Sequence, residues 1–571
     1  MEEKLPNKSK FYEKMDTYYD EPITSSNYKQ EQTKEQLQLR KNKIFNLLFS
    51  KRKTSIKNDY TNTINDCRSI DIKSLNCNDE IKNEPEKYIR TQFDIKKWFK
   101  FFFSSNKNDI LVSLFLFEKY IELQVNEIEE DKRILSRNNT ELIQRMCDYL
   151  LNDDIKIIYN SCACLTNLTL FPKNIENRIY SEKNLEKILK FFNVISNNIT
   201  SLGYETLFLF TNICLNDDVK IYLVKNSFLD SLYSFINNII NKNIIINEQF
   251  TLNTIKICVN ILSELISICH IDDNYINRFL PFIQICKLIT SKYYVNIDNL
   301  LFEEKEALNL LILWKYYTMR RKNRESIVNE IIKDNFTKLL ILLYYKIKDI
   351  KIKEEIIKIF CEFLTLNENV DTILINDGII KFFADEIERY QYSNVVFLYN
   401  LIFDINNISI GNINEIELLC ESQIVYRIID ITSFYIDDKL DKEIINLLKI
   451  CLECLSNIVI GCTTETKKNI LNYKKLSIIS IFCKAFKLDL ELKEKEKKYL
   501  SEKIIYAINE LNAPSEELDP ESESEYVIIL IKYSLKELLI NFNEKNKLDE
   551  ALKNTIESII EFINDKEKNI E

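Results

Sequence analysis

Cys164-Leu165-Thr166-Asn167-Leu168, Leu209-Phe210-Thr211-Asn212-Ile213 and Cys454-Leu455-Ser456-Asn457-Ile458 are three copies of one pattern, a hydroxyl residue and an asparagine set between apolar neighbours. The first two asparagines stand 45 residues apart, from 167 to 212. Around the first copy, Ile155, Ile158, Cys162, Leu165 and Thr169 recur at steps of 3 and 4, which places them on one helix face. A second pattern follows a polar break: Phe228, Leu229, Leu232, Phe235 and Ile236 open a helix with two apolar residues and continue at helical spacing. It returns at Ile379-Ile380-Lys381-Phe382-Phe383, where Gly378 relieves the backbone at the preceding turn. Units of this kind do not bury their apolar faces alone, so they stack into a continuous core with one long exposed face.

Composition narrows the chemistry. Of 571 residues 46% are hydrophobic, which suits several domains or an extended array better than a single compact core. Only four glycines are present (Gly203, Gly378, Gly411 and Gly461), and neither GxGxxG nor GxxxxGK[ST] occurs, so a phosphate-cradling loop is not expected. The abundance of Ile, Asn, Lys and Tyr suggests an AT-rich coding sequence. The formal charge is −10, and residues 36–53 alone carry six basic residues and no acidic one, leaving −16 for the remainder. Such a body disfavours direct nucleic-acid binding and favours a cationic ligand. Fifteen cysteines lie scattered, and Met1-Glu2-Glu3-Lys4 has no apolar run behind it. These features predict a reducing compartment, no secretory leader, no transmembrane segment and residence in the cytoplasm and nucleus.

A repeat of about 40 to 47 residues marks armadillo or HEAT arrays. The quoted pattern resembles the Ala-Leu-x-Asn-Ile of armadillo repeats in the importin-α family, and the chain order resembles that family too: Leu39-Arg40-Lys41-Asn42-Lys43, a spacer from Ile44 to Ser50, and Lys51-Arg52-Lys53 precede the helical array. The usual upstream arginine run is absent, and the spacer is about one residue longer than the family's. The resemblance implies an all-α, right-handed superhelical armadillo solenoid that binds basic nuclear-localisation peptides and engages importin-β. Arg40, Lys41, Lys43, Lys51, Arg52 and Lys53 would contact importin-β or fill the groove in cis. An anionic membrane surface and a plain nuclear localisation signal are the alternatives for this segment.

The expected organisation is a disordered head (1–35), a basic segment (36–56), a linker (57–88), the array (89–513), an acidic loop (514–525) and closing helices (526–571). Repeats are expected near 152–197, 198–240, 247–290, 301–345, 350–388, 391–432 and 439–487, after a first one with a loop at 129–137. Ser522 and Ser524 sit among carboxylates as possible phosphorylation sites, with a plain solvated loop the favoured reading.

In the family, a tryptophan four residues before the motif asparagine flanks ligand lysines, and the asparagine amide holds the ligand backbone. The peptide-groove candidates are therefore Asn167, Phe208, Asn212, Asp217, Asn400 and Asn457. Only Phe208 supplies the aromatic; Ala163, Val396 and Glu453 stand at the corresponding places, and Glu264 and Glu362 are read as replacing the asparagine in weaker repeats. No catalytic, cofactor or metal residue is expected. His270 is the single histidine, in an apolar setting, and Cys451-Leu452-Glu453-Cys454 has CxxC spacing inside a helix, where packing outweighs zinc or redox chemistry. The alternative to an import adaptor is an armadillo scaffold that has lost peptide-cargo binding.

Overall fold

The computed structural model describes residues 72–92, 98, 101–124, 140–169, 179–196, 201–241, 248–270, 272–295, 304–318, 324–366, 368–390, 393–437, 441–488, 492–546 and 548–570. The head, the basic segment with Arg40 to Lys53, and the loop at 129–137 lie outside them. No strand occurs among the described residues. The chain divides into two compact units at Tyr317.

In the first unit, α1 (Asp79–Asn83) and α2 (Pro85–Gln92) precede α3 (Lys107–Gln124), α4 (140–149) and α5 (Ile155–Leu168). Then come α6 (Glu182–Ile195), α7 (Ser201–Ile213), α8 (Asp217–Lys225), α9 (Phe228–Asn241), α10 (Glu248–Ile266), the short α11 (Ile276–Phe279), α12 (Phe282–Ile289) and α13 (Glu304–Thr318), whose last two residues, Tyr317 and Thr318, belong to the second unit. From α8 on, the order is a short first helix, a second helix and a longer third helix. The third helices α3, α5, α7 and α10 lie side by side, and the second helices α6, α9 and α12 form a parallel layer. Phe228, Leu229, Leu232, Phe235 and Ile236 are all buried in α9, as their spacing predicts.

The second unit repeats this order: α14 (Arg324–Ile332), α15 (Phe336–Lys346), α16 (Ile350–Leu364); α17 (Glu368–Asn376), α18 (Ile379–Tyr390), α19 (Val395–Ser409); α20 (Ile413–Glu421), α21 (Ile424–Tyr435), α22 (Lys442–Gly461). It continues with α23 (Thr464–Asn472), α24 (Ser477–Lys487), α25 (Glu494–Ser515), α26 (Pro520–Lys532), α27 (Leu535–Lys545) and α28 (Glu550–Ile570). The third helices α16, α19, α22, α25 and α28 are again adjacent in series.

One backbone device recurs at the turn before the second helix. Gly378 has φ 96°, and Asn335, Gln423, Leu476 and Ser534 hold φ of 60°, 67°, 61° and 52° at the same place. The left-handed residue reverses the chain within one or two residues, a job for which, among the described residues, only the repeat with Gly378 uses glycine.

Two expectations need correction. The stretch 514–525 is not a loop: Pro514 lies in the last turn of α25, and Asp519 caps α26 by accepting from the Glu521 and Ser522 amides at 3.1 and 3.0 Å, with Pro520 at the first helical position. Acid at the cap and proline just inside are start signals, and the acidic composition masked them. The Ser522 hydroxyl donates to Asp519 at 2.7 Å. The array therefore continues from α25 into a further repeat of α26, α27 and α28, where an acidic loop and closing helices were expected. The linker 57–88 contains α1, capped by Asn78, and the start of α2, with Ile81 and Ile89 buried. Among the described residues two helices are long and apolar enough to cross a membrane by length and composition, Thr251–Cys269 and Lys442–Gly461. Both are third helices with most residues buried between neighbours, which accounts for the composition.

Candidate peptide-binding face

Five third helices (α5, α10, α16, α19 and α25) end in a serine or threonine that bonds back to a carbonyl three residues earlier: Thr169 to Thr166, Ser267 to Glu264, Thr365 to Glu362, Ser409 to Asn406 and Ser515 to Asn512. This fixes the register between repeats. It places Glu264 and Glu362 level with Thr166, one residue before the motif asparagine rather than in its place. It also makes Asn407 the motif asparagine of α19, in Asp404-Ile405-Asn406-Asn407-Ile408, and leaves Asn400 two turns away and partly exposed.

Two of the motif asparagines, Asn212 and Asn457, are committed to the neighbouring repeat. Asn212 of α7 is buried and donates from Nδ2 to Thr169 Oγ1 at 2.9 Å and to the Thr166 carbonyl at 3.3 Å. Asn457 of α22 donates to Asn406 Oδ1 at 3.0 Å and Ser409 Oγ at 3.5 Å, and its own Oδ1 accepts from Lys503 Nζ at 2.9 Å. Asn167 and Asn407 are equally buried, at 4% and 1% exposure. The Asn212 and Asn457 amides hold helix to helix, where the family resemblance has them hold a ligand backbone.

What the face offers outward is aromatic. Tyr204 and Phe208, one turn apart on α7, are partly exposed and meet edge to face, centroids 4.9 Å apart at 89°. Tyr399 and Phe403 on α19 repeat the arrangement at 6.2 Å and 39°. Both helices read Tyr-x3-Phe-x3-Asn, and Tyr159 holds the first of these places on α5. Tyr399, Phe403 and Asn407 escaped the sequence reading because Asn400 was taken as the motif residue of α19, and Tyr204 because only the position four residues before the asparagine was considered.

Charge on this face is largely paired internally. Asp217 bonds Lys220 at 2.9 Å, and Asn216 caps α8 by accepting from the Val219 amide at 3.1 Å. Lys220 also reaches Ser267 at 3.2 Å, so a first-helix lysine holds the end of the next third helix. Arg324 does the same in the second unit, donating to the Thr318 carbonyl at 2.8 Å and to Glu362 Oε2 and Thr365 Oγ1, both at 2.9 Å. Asp404 is fully buried with neither carboxylate oxygen hydrogen-bonded to N or O, and burial pushes its pKa well above the usual carboxylate range. Cys451 and Cys454 are buried in α22, and burial raises the Cys451 thiol to about 12, so both pack as small apolar residues.

No protein-family model and no curated protein matches the sequence. Solved structures do. A chain from work on a phosphorylation switch between cadherin and beta-catenin aligns over 85% of this chain and 88% of its own length, with TM-score 0.58 and 10% identity. The complex of SYS-1 with POP-1 aligns over 84% and 94%, with TM-score 0.53 and 12% identity. The fold is that of armadillo-repeat proteins. Within that fold, the third-helix face of α5 and α7 is the candidate binding surface of the first unit.

Proposed function

We propose that this chain is an armadillo scaffold that binds an extended, lysine-bearing segment of a partner protein along its third helices, with Tyr204 and Phe208 as the aromatic step. The observation that carries the reading is the partly exposed edge-to-face pair, held rigid on α7. Aromatic faces accept cationic side chains, and the acidic body draws a basic segment toward them. Its solved neighbours support a protein-interaction role: SYS-1 is in complex with POP-1, and beta-catenin interacts with cadherin. Binding, rather than catalysis, is the activity. The test is a photo-reactive phenylalanine analogue at position 208 and, as a control, at the buried position 235. Cross-linking of a lysine-rich peptide from 208 alone supports the reading, and equal or no cross-linking from both refutes it.

An importin-α-like nuclear-import adaptor, with importin-β and basic cargo as partners in the cytoplasm and nucleus, is the second reading. It rests on the basic segment from Leu39 to Lys53 ahead of an acidic array. The commitment of Asn212 and Asn457 to neighbouring helices favours the scaffold instead. Importin-β captured by the full chain and not by a chain lacking residues 1–56 would establish the adaptor; capture by neither would exclude it.

A further inference from the structure

On α22 the position four residues before the motif asparagine carries an acid. Ala163, Phe208 and Phe403 stand there in α5, α7 and α19, whereas α22 has Glu453. Glu453 is 9% exposed, and a buried carboxylate is costly unless a cation or a proton answers it. Lys449, one turn before, is already taken by Glu496 of α25 at 2.8 Å. The amine that remains is Lys503 of α25. Its Nζ sits 2.9 Å from Asn457 Oδ1 and 5.9 Å from the centre of the Tyr499 ring.

Asn457 is fixed in the orientation this requires. Its Nδ2 donates into Asn406 and Ser409, so its Oδ1 is presented to α25 as a preset acceptor. A primary ammonium has three donors and no acceptor, which matches an amide oxygen with a carboxyl group one turn away and an aromatic ring alongside. We infer that Asn457 and Glu453 form a lysine-ammonium site on the third-helix face of α22, and that Lys503 fills it in cis. Lys503 is thus the residue that decides specificity at this step: while it is in place, an incoming lysine finds the site occupied. The inference rests on the reading that partner segments run along the third helices.

Burial shifts both groups toward their neutral forms, raising Glu453 and lowering Lys503, in keeping with a desolvated pair.

The experiment uses the full chain with Lys503→Met, which keeps the apolar stem, and with Lys503→Ala, which empties the site. Calorimetry with hexalysine should give one further equivalent bound to Lys503→Met than to the wild type, and adding Glu453→Gln should abolish that gain. n-Butylammonium should raise the thermal midpoint of Lys503→Ala by about 2–4 °C while leaving the wild type unmoved. Unchanged stoichiometry in Lys503→Met, or no amine effect confined to Lys503→Ala, overturns the site. If the wild type binds no peptide while Lys503→Met binds one, the Tyr204–Phe208 reading fails and the ammonium site stands. If the wild type binds and Lys503→Met adds nothing, the reverse holds.

Discussion

The Asn212 carboxamide donates to the Thr169 hydroxyl across the boundary between two third helices, 2.9 Å from nitrogen to oxygen. Asn212→Ala removes the donor and leaves Thr169 Oγ1 and the Thr166 carbonyl buried with one partner fewer. A cost of about 1–3 kcal/mol in urea unfolding is expected. The denaturant slope should stay as in the wild type, because the change lies in the folded contacts.

Arg324 is the stronger rivet of the second unit, since one side chain serves Thr318, Glu362 and Thr365. Arg324→Met should cost about 3 kcal/mol, the low end for a broken buried pair, because Glu362 keeps a third of its exposure and finds water. Arg324→Lys should recover only part of this. A compact ammonium lacks the planar fork that reaches all three acceptors.

Backbone strain at the turn before the second helix offers a gain. Gln423 is exposed at φ 67°, so Gln423→Gly should stabilise by about 1 kcal/mol in the same assay. Gly378→Ala should destabilise by about 1 kcal/mol or more. An added Cβ there meets nothing within 4 Å, so the φ of 96° alone sets the cost.

Burial pushes the Glu453 carboxyl from its ordinary 4.5 up to about 7, against the pull of Lys449 and Lys503 and with a small push from Glu496. The folded chain then holds a proton that the unfolded chain releases at lower pH. This contribution is complete below pH 4.5 and is lost as pH rises through 7. The loss is on the order of 3 kcal/mol. Glu453→Gln should flatten unfolding free energy over that window and exceed the wild type at pH 8. A wild-type slope that persists in the variant would assign the effect to other groups.

Much of the fold was legible because burial enforces periodicity: Phe228 to Ile236 fall on the core side of α9 as their spacing requires. Start signals at Asp519 and Pro520 were present too, but an acidic run outweighed them in the reading, and one further repeat was hidden behind it. The site was less legible. Which way an amide points depends on what the next repeat offers, and neither Thr169 beside Asn212 nor Lys503 beside Asn457 is marked by local sequence. Pairing across 43 and 46 residues leaves no trace in a window of one helix.

The most direct measurement is calorimetry of a lysine-rich peptide against the full chain and its Phe208→Ala variant, at matched thermal midpoints. Phe208 is partly exposed and touches Tyr204, so its removal should spare the fold. Loss of one cation–π wall predicts affinity weakened by about 0.5–2 kcal/mol, or roughly two- to thirtyfold. Undiminished affinity in the variant, or no binding by the wild type, would contradict a peptide-binding face built on Tyr204 and Phe208.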